Sequence, residues 1–385
     1  MRTTLLAAAA LALAALINPP QGAAADLKLG VIAPLSGGGT DWGIGTQRGV
    51  ELAVDEINAA GGLRVGSETY RVSTVTYDDQ YSGQGGTTAA TRLIEGDGVK
   101  FIFGPLGSTP VLAAQAVAAP GKAVILSSGY SPRILTPQGR HNFRVTLATP
   151  EFAPAFIGWL RRTNAQAKRV GIISPNDATG QSVVPILVDA YKKAGFEVVL
   201  DEKVERGTSD FTPLVTRMIA QRIEVIELDS STPGDAGLIV KQARQLGYRG
   251  MIMQTGGPAI DEVVNIAGGL AEGYTTMEWF DAGSPEAAPL VAAYRAKYGK
   301  APMNAFVPIM YNAAKLLFEA VKRAGSTDVT AVSAELEKLE GHPSLFGAVR
   351  WGGQERYGIN HQLMTDFFIA QVKQGKPTVI DRVRP

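Results

Sequence analysis

The sequence predicts a two-lobed α/β protein in which each lobe is built on a doubly wound, mostly parallel sheet. Three observations carry that prediction. Short apolar runs recur along the chain and are continuous rather than alternating, segments with a helical stripe separate them, and 385 residues are more than one core accommodates.

The apolar runs lie at 29–35, 72–77, 101–103, 123–126, 170–173, 225–228 and 251–253. A strand covered on both faces by helices reads in this way, because neither face needs polar residues. Between the runs, Val50, Ala53, Val54 and Ile57 fall at i, i+3, i+4 and i+7, and Ala313, Leu316, Leu317 and Ala320 repeat the spacing. Each set makes one apolar stripe on a helix. Strand and helix alternate, which implies right-handed βαβ crossovers. The units form two sets, over 26–148 and 149–278, followed by a helix-rich remainder.

The chain opens with the pattern of a secretory leader over 1–25: Arg2, an apolar run at 5–17, then Ala23, Ala24 and Ala25 before Asp26. The apolar run is too short to span a bilayer comfortably, and no later segment has the ~20 apolar residues of a membrane span. The expected product is an exported, periplasmic, soluble protein. With 0 Cys it has no lipid anchor, disulfide or thiol nucleophile. Lysine and arginine total 37 against 36 acidic residues and no basic block stands out, which argues against nucleic acid or an anionic membrane as partner.

In open α/β sheets, ligands bind beyond the carboxyl ends of the strands. The six loops there, at 36–43, 104–110, 127–132, 175–180, 230–235 and 255–258, all combine glycine with serine or threonine. Glycine allows close approach of a backbone N–H, and a hydroxyl donates or accepts. In the second loop Ser108 or Thr109 stands at an N-cap, with Pro110 in the first helical turn, so that a helix N-terminus could receive a carboxylate. Any one such loop is ordinarily just a cap; six together favour a shared cleft. Trp42 is placed in an exposed glycine-rich loop, either packing there or forming an apolar wall over the ligand.

An enzyme is poorly supported. The sequence has no P-loop, no G-x-G-x-x-G after a strand, no G-x-S-x-G and no metal-spaced histidine pair, and it calls for no cofactor or metal. His141, His342 and His361 read as surface or packing residues, and Asp78 and Asp79, adjacent on a strand, point to opposite faces and read as structural.

LGVIAPLSG at 29–37, QRGVELAVDEINAAGG at 47–62, YDD at 77–79, KQARQLG at 241–247 and AEGY at 271–274 together resemble the type I periplasmic binding proteins of branched-chain amino acid transporters, over essentially the whole mature chain. The resemblance implies two Rossmann-like lobes, 26–148 with 279–362 and 149–278 with 363–385, joined by a three-crossing hinge. It further implies a monomer that closes around its ligand and delivers it to an ABC permease. Position by position, Ser108, with Thr109 beside it, the backbone of Gly129 and the hydroxyl of Ser131 correspond to carboxylate anchors. Trp42 and Phe306, with Tyr130 beside them, correspond to apolar walls, and Thr179, Thr232 and Gly256 are the matching positions on the second lobe. The family's amino-acid binders carry a tyrosine where Thr179 stands and, where Gly256 stands, an acid that pairs with the α-ammonium; Asp229 or Asp235 could substitute. The expectation is therefore an aromatic or branched-chain acid without an amino group in preference to a zwitterion. A branched-chain amino acid, or a sensing role at a chemoreceptor or kinase, are the alternatives. The family's disulfide positions hold Tyr81 and Gly107.

Overall fold

The structure is a computed structural model describing residues 25–385 except 119, 120, 259 and 303. The predicted leader, up to residue 24, lies outside the described residues. In chain order the strands are β1 (Ala25–Ala33), β2 (Leu63–Val65), β3 (Glu68–Asp78), β4 (Phe101–Leu106), β5 (Val124–Ser128), β6 (Asn142–Arg144), β7 (Arg169–Pro175), β8 (Glu197–Val204), β9 (Val225–Glu227), β10 (Met251–Gln254), β11 (Thr275–Glu278), the small hairpin β12 (Pro343–Ser344) and β13 (Gly347–Ala348), β14 (Trp351–Gly352), β15 (Gln362–Leu363), β16 (Phe367–Lys373) and β17 (Lys376–Val383). They form a sheet of order β14-β15-β6-β5-β4-β1-β3-β2 and a second of order β17-β16-β11-β10-β9-β7-β8. The central ladders of both are parallel; the antiparallel pairs are β2 with β3, β14 with β15, and β11 through β16 to β17.

Each predicted apolar run falls in or directly against a strand, and the central ones, such as β4 and β5, are buried at every position. Sequence reading missed β8, β16 and β17. β8 and β17 are edge strands; the exposed positions of β8 are all charged and those of β17 mix charged residues with Pro377, Thr378 and Val379, so neither has the apolar signature of a strand sandwiched between helices. The chain changes sheet three times, after β6, after β11 and after β15.

The helices that matter for the cleft are α1 (Thr40–Ala59), α2 (Gly83–Thr91), α3 (Ser108–Ala118), α4 (Thr149–Thr163), α5 (Ala178–Lys193), α6 (Thr212–Ala220), α7 (Pro233–Gln245), α8 (Ile260–Ala267), α9 (Ala288–Tyr298) and α10 (Phe306–Ala324). The two stripes read from the sequence lie on α1 and α10, which pack against each other. Gly49 makes that packing close: a Cβ there would stand 2.3 Å from the carbonyl oxygen of Val307. Buried Leu316, Leu317 and Val50 add about 1.5–3 kcal/mol of burial each relative to exposure. The result is a fixed platform that brings Trp42, at the start of α1, beside Phe306, at the start of α10. Among the described residues, no helix is long and apolar enough to cross a membrane.

Candidate functional site: the cleft between the sheets

All six glycine-rich loops meet. The cleft is lined by Trp42 from the first, Leu106 and Gly107 from the second, Ser128, Gly129 and Tyr130 from the third, Thr179 from the fourth, Ser230 from the fifth and Gly257 from the sixth, with Tyr81 and Phe306 completing it. The two walls touch directly. Ser108 donates its backbone N–H to Thr179 Oγ1 at 3.1 Å, Ser182 donates to Ser131 Oγ at 2.9 Å, and Trp42 Nε1 donates to the carbonyl of Pro258 at 2.5 Å. The space left is about 20 Å³, enough for about one water molecule. A larger cavity of about 320 Å³ is lined by Ile260, Asp261, Glu278, Asn304 and Ala305 among others. The tight cleft is made by all six strand-end loops, which is why the site is placed there.

Trp42 departs from its expected setting. It lies in the first turn of α1, not in an exposed loop, and is 3% exposed. The loop is consumed by a short turn at Gly37–Gly39, so the helix begins earlier than the glycines suggested. Its ring centroid is 5.9 Å from that of Phe306 and 6.1 Å from that of Tyr81. The start of α3 also moves: the helix begins at Ser108, and Gly107, whose carbonyl accepts the first intrahelical bond from Val111, stands in the cap position. The Ser108 hydroxyl, freed from capping, accepts the backbone N–H groups of Tyr130 and Ser131 at 3.2 and 2.9 Å.

Five of the ten predicted site residues line the gap: Trp42, Gly129, Tyr130, Thr179 and Phe306. Ser108 and Ser131 stand one bond behind it. Buried Arg144 holds their loop, donating to the Ser131 carbonyl at 2.8 Å and to Gln362 at 3.0 Å. Thr109 turns towards Gly83 of α2 and does not line the cleft. Thr232 caps α7, accepting the N–H of Asp235, and lies against Gly38 of the opposite wall. Among the described residues, neither Ser108 Oγ nor Ser131 Oγ is hydrogen-bonded to a histidine, a lysine or a carboxylate. His361 stacks on Phe143 at 3.9 Å and bonds Glu337, at a site of its own.

Gly256 bears on the second wall. A Cβ there would lie 2.0 Å from Asp229 Oδ1 and 3.1 Å from the Tyr130 ring. Burial pushes Asp229 up to about 7; it pushes Glu227, two residues earlier and further raised by the Asp229 charge, up to about 8. Glu227 is well held, by Tyr191 Oη at 2.5 Å and by the N–H and hydroxyl of Thr255.

Sequence reasoning missed Tyr81 and Arg206 as parts of the site. Tyr81 follows β3 with φ 54°, a left-handed conformation that aims its ring over Gly107; a Cβ on Gly107 would meet the Tyr81 hydroxyl at 2.5 Å. The pair that replaces the family's disulfide is thus in contact. The Arg206 guanidinium lies 4.3 Å over that ring, bonds Asp177 at 2.7 Å and donates to the carbonyl of Ser230. Asp177 in turn caps α5 through the N–H groups of Thr179 and Gly180. The departure from the family at 81 and 107 was the available signal for Tyr81; nothing in the sequence pointed to Arg206.

Two parallel sheets with a shared cleft at their strand ends define a two-lobed binding protein of the hinged kind. The comparisons agree. The family model described as "Periplasmic binding protein" matches residues 26–377, and the chain belongs to that family. A Leu/Ile/Val-binding protein homologue from Brucella melitensis is 29% identical over 356 residues, covering 88% of this chain and 86% of that one. Among solved structures, the branched-chain amino acid transporter substrate binding protein of Streptococcus pneumoniae, in complex with isoleucine, superposes with a TM-score of 0.81 at 23% identity, covering 94% of this chain and 100% of that one. A solute binding protein of R. palustris in complex with benzoate gives 0.80 at 20%, covering 94% and 97%.

Proposed function

We propose that this chain is the periplasmic solute-binding component of an ABC importer, exported by its leader, acting as a monomer and enclosing a small organic carboxylate between lobes formed by 26–148 with 279–362 and by 149–278 with 363–385. The observation that carries the reading is the meeting of six strand-end loops, drawn from two sheets, in one nearly shut cleft. The 20 Å³ that remain admit nothing larger than water, so entry requires the walls to part and the three direct bonds between them to break. Closure is then favoured by whatever the ligand adds to the second wall, and it needs about 5.5 kcal/mol of differential binding to turn a 1:99 closed population into 99:1. The Gly129–Ser131 loop and the start of α3 offer the carboxylate site, and Trp42, Tyr81, Tyr130 and Phe306 suit an aromatic or branched apolar group. The family's names and the benzoate-bound neighbour keep both amino acids and plain acids among the candidates.

The test is a thermal-shift screen of amino acids and of aromatic and aliphatic acids, followed by small-angle scattering. A true ligand at 100 times its Kd adds about 2.7 kcal/mol and shifts the melting temperature upward. The scattering profile then contracts on binding. A panel that moves neither quantity defeats the reading.

A further inference from the structure

The three crossings between the sheets leave from β6, β11 and β15, strands that lie towards one end of their sheets, whereas β3 and β8 lie towards the other. Walls that part about the crossings separate least beside them and most at β3 and β8. The residues that follow these two distant strands meet face to face. Tyr81 comes after β3 and Arg206 after β8, and the Arg206 guanidinium lies 4.3 Å from the centroid of the Tyr81 ring.

Each partner is held in place by its own wall. The left-handed backbone of Tyr81, with φ 54°, lays the ring over Gly107, where a Cβ would stand 2.5 Å from the hydroxyl, and Trp42 packs beside it at 6.1 Å. On the second wall, Arg206 Nε donates to Asp177 Oδ2 at 2.7 Å and Nη1 to the Ser230 carbonyl at 3.1 Å, which fixes the plane of the guanidinium. Nη2 is buried with no hydrogen-bond acceptor among the described residues. The Arg206 side chain is 16% exposed, so its contact with the ring is made largely out of water, where a cation over an aromatic face is held most strongly. Tyr81 lines the cleft and Arg206 does not. The contact therefore depends on the walls being together, and its cationic half stands clear of the space a solute would fill.

We infer that Arg206 is a positioning residue for closure: laid on the face of Tyr81 at the lip of the cleft furthest from the crossings, it latches the two walls and strengthens the capture of every solute by one common factor without touching it. The inference rests on the hinge-closing reading above and adds to it a contribution made by the protein's own side chains. A solute contact discriminates between compounds. A latch does not, because the same contact forms whichever compound the walls enclose.

The experiment follows closure by energy transfer. The chain has 0 Cys, so Thr88→Cys on α2 and Ala220→Cys on α6, both exposed, carry a donor and an acceptor dye, one on each wall. The labelled protein is titrated with L-leucine, L-phenylalanine and benzoate, and the half-closing concentration is read for each compound that raises the transfer. In Arg206→Met that concentration rises roughly tenfold, by the same factor for each such compound. Tyr81→Leu raises it to a similar extent, and Tyr81→Phe, which keeps the ring face, holds the parent's value; these two variants decide the matter if Arg206→Met does not fold. The double variant, Tyr81→Leu with Arg206→Met, loses about tenfold and not about a hundredfold, since each side chain acts through the other. An unchanged midpoint in Arg206→Met or in Tyr81→Leu, a loss in Arg206→Met confined to one compound, a loss in Tyr81→Phe equal to that in Tyr81→Leu, or losses that multiply in the double variant overturn the latch and leave hinge closure standing. Transfer that none of the three compounds raises in the parent overturns hinge closure and the latch with it.

Discussion

The two walls of the cleft are built on opposite principles. The first wall is largely satisfied from within: Ser108 accepts two backbone N–H groups, the Ser131 hydroxyl accepts the N–H of Arg133, and Arg144 ties the loop to Gln362 beneath it. The second is acidic and strained, with Asp229 and Glu227 side by side at the end of β9 and Ser230 at φ 64°, a left-handed conformation that costs a residue with a side chain free energy. One wall is tied down by its own donors, and the other keeps Asp229 Oδ1 buried without a hydrogen-bond donor among the described residues.

Arg144→Ala breaks the first wall and has the largest expected effect. The guanidinium is 0% exposed, and its loss takes the shorter of two donors from the Ser131 carbonyl, which keeps the Ile134 N–H, and the donor from Gln362 Oε1, while opening a void. The cost to folding is about 3–5 kcal/mol, from one orphaned buried acceptor, one weakened one and a large cavity. Chemical denaturation reads it. A loss below about 1 kcal/mol means that the first wall does not depend on this anchor.

The second wall titrates, and its pH dependence is the next largest effect. Burial pushes Asp229 up to about 7 and Glu227 up to about 8, and Asp79, beside Tyr81 on the first-sheet side, up to about 7. A carboxyl whose folded pKa lies above its unfolded one contributes stability that is complete below about pH 4 and is lost as pH rises through the folded value. The melting temperature of the ligand-free protein therefore rises on going from pH 8 to pH 6, by roughly 3–6 °C. Asp78, held low by N–H and hydroxyl donors, keeps its contribution unchanged over that window. A flatter slope in Asp229→Asn assigns its share to the second wall; an unchanged slope assigns it to the other carboxyls that burial raises, Asp79, Glu227 and Glu278 with Asp41, Asp235 and Asp261.

What was legible in the sequence follows the same division of physics. Strands such as β4 and β5, buried at every position, announce themselves by composition, and the six loops were found because glycine beside a hydroxyl residue is a local signal. Edge strand β8 has no such signature. Tyr81 and Arg206 enter the site through a contact between distant chain segments, with a ring turned by a positive φ and a guanidinium laid over it, and no spacing along the chain records that. At Gly256 the sequence showed the absent side chain and offered Asp229 as a nearby acid; that Asp229 Oδ1 lies 2.0 Å from the position a Cβ at 256 would take is a three-dimensional fact.

Trp42 joins the walls, and it sharpens the comparison at the smallest scale. Its ring packs with Tyr81 and Phe306 on the first-sheet side while its Nε1 donates to the Pro258 carbonyl on the other. Truncation to alanine would confound these, since a tryptophan 3% exposed is also core and its loss costs about 3–5 kcal/mol of folding. Trp42→Phe keeps most of the aromatic packing and deletes the donor. The bond belongs to the closed arrangement, so its loss acts on closure and weakens ligand binding by about 1 kcal/mol, roughly fivefold. Titration calorimetry with the ligand from the screen measures the change, and the melting temperature without ligand controls for packing. An unchanged affinity in a variant that still melts normally shows that the bond between Trp42 and Pro258 forms equally well before the walls close.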